Sequence, residues 1–292
     1  MKDQTMTRFF VLASLVIPAW SHLAFAKDHT KAPPPSDPAQ QQALSLIKEV
    51  YGQEWESAKT DEQKQALAKK LLSKAGESQD STNKYVLLRV ARDIATQAGD
   101  GVTAFRAIDE MDREFQVDAV RMKTSVLDSG AKKTRLPAEH KAVAEQALTL
   151  IDQAILKNDF DTASKLAALA EGKARKVRER QLVKKVVARK KELKEIADAF
   201  KEAEVALKTL ETNPTEPDAN LAVGRYRCFV KGDWDDGLPM LALGSDPALK
   251  ALAVKELEGV SGNTEQVSLG DDWWDLAEKK EGITKERLEE RA

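Results

Sequence analysis

The chain has 292 residues, with 46 Lys plus Arg against 48 Asp plus Glu and one cysteine. Charge so nearly balanced excludes a global polyelectrolyte role. A single cysteine excludes an internal disulfide, so the fold rests on apolar burial, with Cys228 reading as a small core residue beside Tyr226 and Phe229 rather than a redox group.

The first 26 residues differ from the rest. Lys2 and Arg8 supply positive charge, residues 9–19 form an uncharged apolar run, and Ala24-Phe25-Ala26 places small residues where a signal peptidase reads the chain. The run of 11 residues is too short to span a bilayer as a helix, which takes about 20. No Cys follows it and no Arg pair precedes it, which argues against a lipoprotein anchor and twin-arginine export. The pattern predicts a signal peptide over 1–26 and an exported mature chain from Lys27, located in the periplasm, cell envelope or extracellular space. Its 266 residues contain no transmembrane segment and amount to one or two domains.

Residues 27–38, with Pro33-Pro34-Pro35 and Pro38, read as an extended tether. Beyond it Ala, Leu, Lys, Glu and Gln dominate, side chains that lose little entropy in a helix, and alternating strand patterns are nearly absent. A first helix is predicted over 39–58, with Ala43, Leu46, Ile47, Val50 and Trp55 at helical spacing. Thr60 with Gln63 three residues on forms a capping box for the second. A third covers 81–98, a fourth carries Phe105, Ile108, Met111 and Phe115, and a fifth runs over 118–130. Residues 130–137, bounded by Gly130 and Pro137, read as a joint between an N-terminal helical domain of 39–130 and a C-terminal helical domain of 138–292. The second half opens with a helix over 138–157, then one ending near Gly172, then a long helix over 173–211. Within it Val186, Leu193, Phe200 and Leu207 recur every seven residues, trailed by Ile196, Ala203 and Leu210, with Arg189 interrupting the second row. That is a heptad seam.

A short pattern occurs three times: Gly99-Asp100-Gly101-Val102-Thr103-Ala104, Asn158-Asp159-Phe160-Asp161-Thr162-Ala163 and Gly232-Asp233-Trp234-Asp235-Asp236-Gly237. Each copy lies between two helical patterns. The first residue suits a left-handed helix end, the Asp suits an N-cap, and the last small residue permits close helix approach. The predicted fold is all-α, stacked tetratricopeptide-like hairpins with one long heptad-patterned helix. The spacings of 59 and 74 residues exclude a regular 34-residue array.

No catalytic constellation is visible. The mature chain has only His29, in the tether, and His140, which reads as a surface residue at a helix start. No Gly-rich phosphate loop, His-Glu-x-x-His or Cys-x-x-Cys occurs. Asp233, Asp235 and Asp236 superficially resemble a calcium loop, but Gly237 and Pro239 fall at the wrong positions, and helix capping explains the aspartates better. The expectation is a non-enzyme with no catalytic residue, cofactor or metal site; carboxylate chemistry is the third-ranked reading.

Residues 173–194 hold 11 bases and two acids, whereas 195–292 hold 22 acids and 12 bases. One reading is a face for an anionic partner centred on Lys184, Lys185, Arg189 and Lys190. The blander reading is a solvated helix whose field is met by the acidic half within the molecule. Trp273 and Trp274 are adjacent and, at about 100° per residue, cannot both face one core. They read as packing residues first and as carbohydrate-stacking residues second. Nucleic acid is disfavoured by export and by the lack of aromatics among the bases.

Several stretches carry a resemblance. Asn220-Leu221-Ala222-Val223-Gly224-Arg225-Tyr226, Val230-Lys231-Gly232-Asp233-Trp234, Gly237-Leu238-Pro239, Leu243-Gly244-Ser245-Asp246 and Leu269-Gly270-Asp271 followed by Trp273-Trp274-Asp275-Leu276-Ala277 resemble a secreted helical region. That region occurs in uncharacterised exported proteins of planctomycete bacteria. Residues 43–117, including Tyr85-Val86-Leu87-Leu88-Arg89, resemble the first half of the same family. In that family the region often precedes other modules, such as carbohydrate-binding or formylglycine-type domains, so the resemblance implies an accessory or scaffold role. This chain departs at Gly282-Ile283-Thr284-Lys285, which follows Glu281 where a further aromatic-bearing helix is expected. The combined expectation is an interaction or scaffold module of the cell envelope, with another envelope protein as partner. The alternative is a binder of anionic wall polymer or glycan.

N-terminal sequencing of the exported protein is expected to start at Lys27. Ala26→Phe puts a bulky side chain at the cleavage position and is expected to leave the uncut precursor, read as a mass increase.

Overall fold

The computed structural model describes residues 31–292. Residues 1–26, read above as a signal peptide, and residues 27–30 of the expected tether, His29 among them, lie outside them. Thirteen α-helices and one π-helical segment pack against one another, with no strand among the described residues. The first five are α1 (Asp37–Ser57), α2 (Asp61–Glu77), α3 (Ser81–Gln97), α4 (Gly101–Glu114) and α5 (Ala119–Ala131). Then come α6 (Pro137–Leu156), α7 (Phe160–Val177) and α8 (Arg180–Thr212). Helix α9 (Pro217–Arg225) continues as a π-helix (Tyr226–Lys231), and α10 (Trp234–Leu243), α11 (Pro247–Leu257), α12 (Asn263–Ala277) and α13 (Gly282–Arg291) complete the chain.

Polar residues placed by the sequence start most of these helices. Thr60 Oγ1 accepts from Gln63 N at 3.3 Å while Gln63 Oε1 accepts from Thr60 N at 3.1 Å, closing the expected capping box. Asp80, Asp118 and Asp246 cap α3, α5 and α11. Each such cap stabilises its helix by about 1 kcal/mol.

The three repeated motifs form three closely similar turns. Gly99, Asn158 and Gly232 all adopt left-handed φ, at 73°, 55° and 68°. Asp100, Asp159 and Asp233 then cap α4, α7 and α10 by accepting from the N–H three residues on. In the first two turns the following threonine hydroxyl donates to the other carboxylate oxygen, Thr103 at 2.7 Å and Thr162 at 2.8 Å. The last motif residue fits tightly: Ala104 and Ala163 are fully buried, and a Cβ on Gly237 would overlap Cys228 Sγ and lie 3.1 Å from Cys228 N. The turns differ in one respect. Asp100 N donates to Ala95 O and Asp159 N to Ala154 O, five residues back, but Asp233 N reaches Arg227 O, six back, because the π-helix is wider.

Four apolar clusters form the interior. Ile47, Leu71, Leu88, Ile108 and Met111 centre the first, on α1–α5. Leu150, Ile151, Leu166, Val186 and Ile196 centre the second, on α5–α8. Helix α5 contributes Ala119 and Val126 to the first and Val120 and Leu127 to the second, so the core is carried across the segment 130–137. Ala203, Ala206, Val223, Tyr226 and Met240 join the second half of α8 to α9 and α10. Cys228, Leu241, Leu249, Trp273 and Leu288 form the last cluster. Buried alanines on facing helices, such as Ala91, Ala107, Ala147 and Ala170, keep helix axes close.

Two expectations change. The long helix over 173–211 is two helices: α7 runs through Gly172 to Val177, Arg178 turns left-handed at φ 62°, and α8 starts at Arg180. An arginine gives no sequence signal for that break. What imposes it is burial: Leu166 and Ala170 on α7 share a cluster with Val186, Leu193 and Ile196 on α8, and one straight helix would hold Leu166 and Ile196 about 45 Å apart. The heptad seam is spent within the molecule, its first half on the α6–α7 cluster and its second half on α9 and α10. The end of the Pro-rich segment is docked: Ala32 N donates to Glu114 O and Gln116 N to Ala32 O, both at 2.8 Å.

Gly237→Ala is expected to destabilise the protein by about 1–3 kcal/mol, the usual cost of overpacking. Cys228→Ala in the same chain, which removes the overlapped sulfur, is expected to recover part of the loss in thermal melting.

Candidate interaction face

The basic run folds into the end of α7, the turn at Arg178 and the first half of α8. Its charges divide into two groups. Arg189 pairs with Asp152 and Glu192, both at 2.5 Å, and Lys190 with Glu171 at 2.8 Å. Arg175 also pairs with Glu171, at 2.6 Å. Facing Lys190 first and Arg175 second, the Glu171 carboxyl is held down to about 2. Lys173 is turned inward, donating to the Ala131 carbonyl and to Thr134 Oγ1 at 2.7 Å, and burial lowers its pKa. The Asp152 and Glu171 pairs join α8 to α6 and α7, so Arg189 and Lys190 are structural ties.

Lys176, Arg178, Arg180, Lys184, Lys185 and Lys194 have no carboxylate partner among the described residues, and all six are exposed. Five of them fall within ten positions around the α7–α8 turn. The sequence could not separate these free cations from the tied ones, because the tying acids Asp152 and Glu171 lie outside the run or on its edge.

Trp273 and Trp274 part as their adjacency requires. Trp273 is 1% exposed, donates from Nε1 to Glu256 Oε2 at 2.9 Å, and meets Trp234 edge-on with ring centroids 5.7 Å apart. Trp234 in turn meets Phe229 at 5.8 Å and carries the Arg291 guanidinium over its ring. Trp274 is 48% exposed. Both tryptophans sit on α12, Trp273 within the last cluster, whereas the cations sit on α7 and α8 over the second. The two sets do not form one site.

Chemistry elsewhere is muted. Among the described residues no group of three His, Cys, Asp or Glu is placed to hold a metal ion. Asp233 and Asp236 are occupied by the cap and by Arg227. Cys228 is buried, and burial pushes its thiol up to about 12, away from any nucleophilic thiolate. His140 is not the surface residue its position implies. It is 8% exposed on the inner side of the first turn of α6, and its Nδ1 has no partner. Burial first, then the Lys173 and Lys176 charges, lower its pKa. A small cleft of about 260 Å³ beside Trp55 is lined by Lys59, Lys64, Leu67 and Ile94. No described helix is long and apolar enough to cross a membrane. No protein-family model, curated protein or solved structure matches the chain.

His140 binds a proton more weakly folded than unfolded, so folding loses stability as pH falls through its ordinary value of 6.5. Thermal melts between pH 8 and pH 5 are expected to show that slope, and His140→Leu is expected to flatten it.

Proposed function

We propose that the chain is an exported, non-enzymatic interaction module of the cell envelope, built from tetratricopeptide-like hairpins. Its working surface is the basic end at the α7–α8 turn, presented to an acidic protein. The supporting observation is the division of charge in that run. The tied cations hold the helices in place, while Lys176, Arg178, Arg180, Lys184 and Lys185 stand together without carboxylate partners, the one acid among them, Glu179, being paired with Lys141 at 2.8 Å. Fixed, unneutralised cations of one sign raise the local concentration of an anionic partner and steer its approach. The signal-like N-terminus and the resemblance to secreted helical regions support the location.

A second reading, a wall-polymer or glycan binder, draws on Trp274, whose indole is half exposed beside the fixed Trp273.

The test is crosslinking of the tagged full-length protein in its native cells, followed by mass spectrometry. The expected result is a reproducible protein adduct that falls at least tenfold in a Lys184→Glu, Lys185→Glu chain. That variant leaves Arg189 and Lys190 in their structural pairs. An adduct unaffected by the reversal overturns the basic end as the binding face. Recovery of wall polymer alone, lost in Trp274→Ala, moves the glycan reading to the front.

A further inference from the structure

The outward side of α8 is organised in a way that neither its seam nor its basic end explains. Val187, Lys191, Lys194, Asp198, Glu202 and Val205 follow one another at three- and four-residue steps. At about 100° per residue they share one stripe, roughly opposite the buried Val186, Leu193 and Ile196. All six are exposed, Val187 at 47% and Val205 at 66%. Bases come first along the stripe and acids follow. Lys194, Asp198 and Glu202 have no ion-pair partner among the described residues, and Lys191 has only a 3.7 Å contact with Glu195. At the acidic end a groove of about 510 Å³ opens between α8 and α9, lined by Val205, Ala206, Ala219 and Ala222 with Glu202, Glu216 and Asp218.

We propose that this face seats a second copy of the chain, the two α8 helices running antiparallel about a two-fold axis at the level of Ile196. One register satisfies every element of the stripe. Val187 falls opposite the partner's Val205 and into its groove, Lys194 opposite the partner's Asp198, and Lys191 one residue step from the level of the partner's Glu202, on the same flank of the stripe. Two-fold symmetry makes each contact occur twice. Lys201, the base among the groove residues, lies on the opposite flank of the stripe from Lys191. A helix that carries both signs in this order is complementary to its own reversed copy, whereas an external partner of one charge matches only half of it. Exposed ion pairs contribute little each, so the valine contacts supply much of the affinity and the charges set the register. The association goes beyond the function proposed above. Lys184 and Lys185 lie outside its central contacts, and the dimer holds its two basic ends about 40 Å apart along the helix direction.

The full chain carrying Val187→Cys and Val205→Cys tests the register directly. On one helix these positions are about 27 Å apart, so no bridge forms within a chain, and the native Cys228 is buried. Mild oxidation is expected to give a covalent dimer from the double variant and none from either single variant, whose equivalent cysteines stay about 27 Å apart in the dimer. Sedimentation equilibrium of the unsubstituted chain is expected to show a mass rising with concentration toward twice the monomer value. That rise is expected to be lost in Lys191→Glu, Lys194→Glu and restored when Asp198→Lys, Glu202→Lys is added. A strict monomer at every concentration overturns the proposal, and bridging by a single variant overturns this arrangement. Either failure leaves the Lys184 and Lys185 crosslinking result unchanged, so the two ideas fail separately.

Discussion

A helix that ends must dispose of its last carbonyls, and the next must satisfy its first N–H groups. This molecule meets both demands at each repeated turn with one left-handed residue followed by one aspartate. The solution is reinforced from outside. Arg121 reaches Asp159 at 2.8 Å and holds its carboxyl down to about 2, and Arg227 reaches Asp233 at 3.3 Å. The helix C-termini receive ammonium groups in turn: Lys133 donates to Gln97 O, Lys173 to Ala131 O, and Lys231 to Leu156 O at 2.9 Å. Cations there also complement the helix dipole. The packing of thirteen helices depends on these ends being closed, since a buried orphan carbonyl or N–H costs more than a surface ion pair returns.

Much of this was legible in the sequence. The capping box at Thr60 and the three turn motifs are local patterns, and local physics executes them without regard to the rest of the chain. The break at Arg178 was not legible, because no residue there prefers a left-handed turn and the reason lies in α8 packing back on Leu166 and Ala170 of α7. His140 misled for a related reason: its place in a first turn says nothing about which side of the helix meets the neighbouring α7. The docking of Ala32 on Phe115 was also invisible, since it joins residues more than eighty apart, through backbone bonds and through Gln116 Nε2 donating to Lys31 O at 2.8 Å.

The basic run shows how a sequence count can overstate a field. Eleven cations look like one patch, but Asp152 and Glu171 tie Arg189 and Lys190 to neighbouring helices, and Glu171 and Glu192 pair with Arg175 and Arg189 within their own. What remains is smaller and better defined, gathered where α7 turns into α8. The same helix farther along changes sign, and its apolar seam faces inward throughout. One 33-residue element therefore serves as core, as strut and as surface, each on its own side.

The π-helix at Tyr226–Lys231 holds one residue more than the turn would need by analogy with its two counterparts. That extra residue advances the chain by about a quarter turn before the third aspartate. It lets two side chains face backward into the preceding hairpin: Tyr226 OH donates to Asn158 Oδ1 at 2.6 Å, and Lys231 reaches the carbonyls of Ile155 and Leu156. Asn158 is itself the left-handed residue of the second turn. The odd residue thus works as a phase shifter. It makes the third hairpin read the end of the second, so the spacing between successive units is fixed by hydrogen bonds as well as by apolar fit, and a loosening of one turn is transmitted to the next.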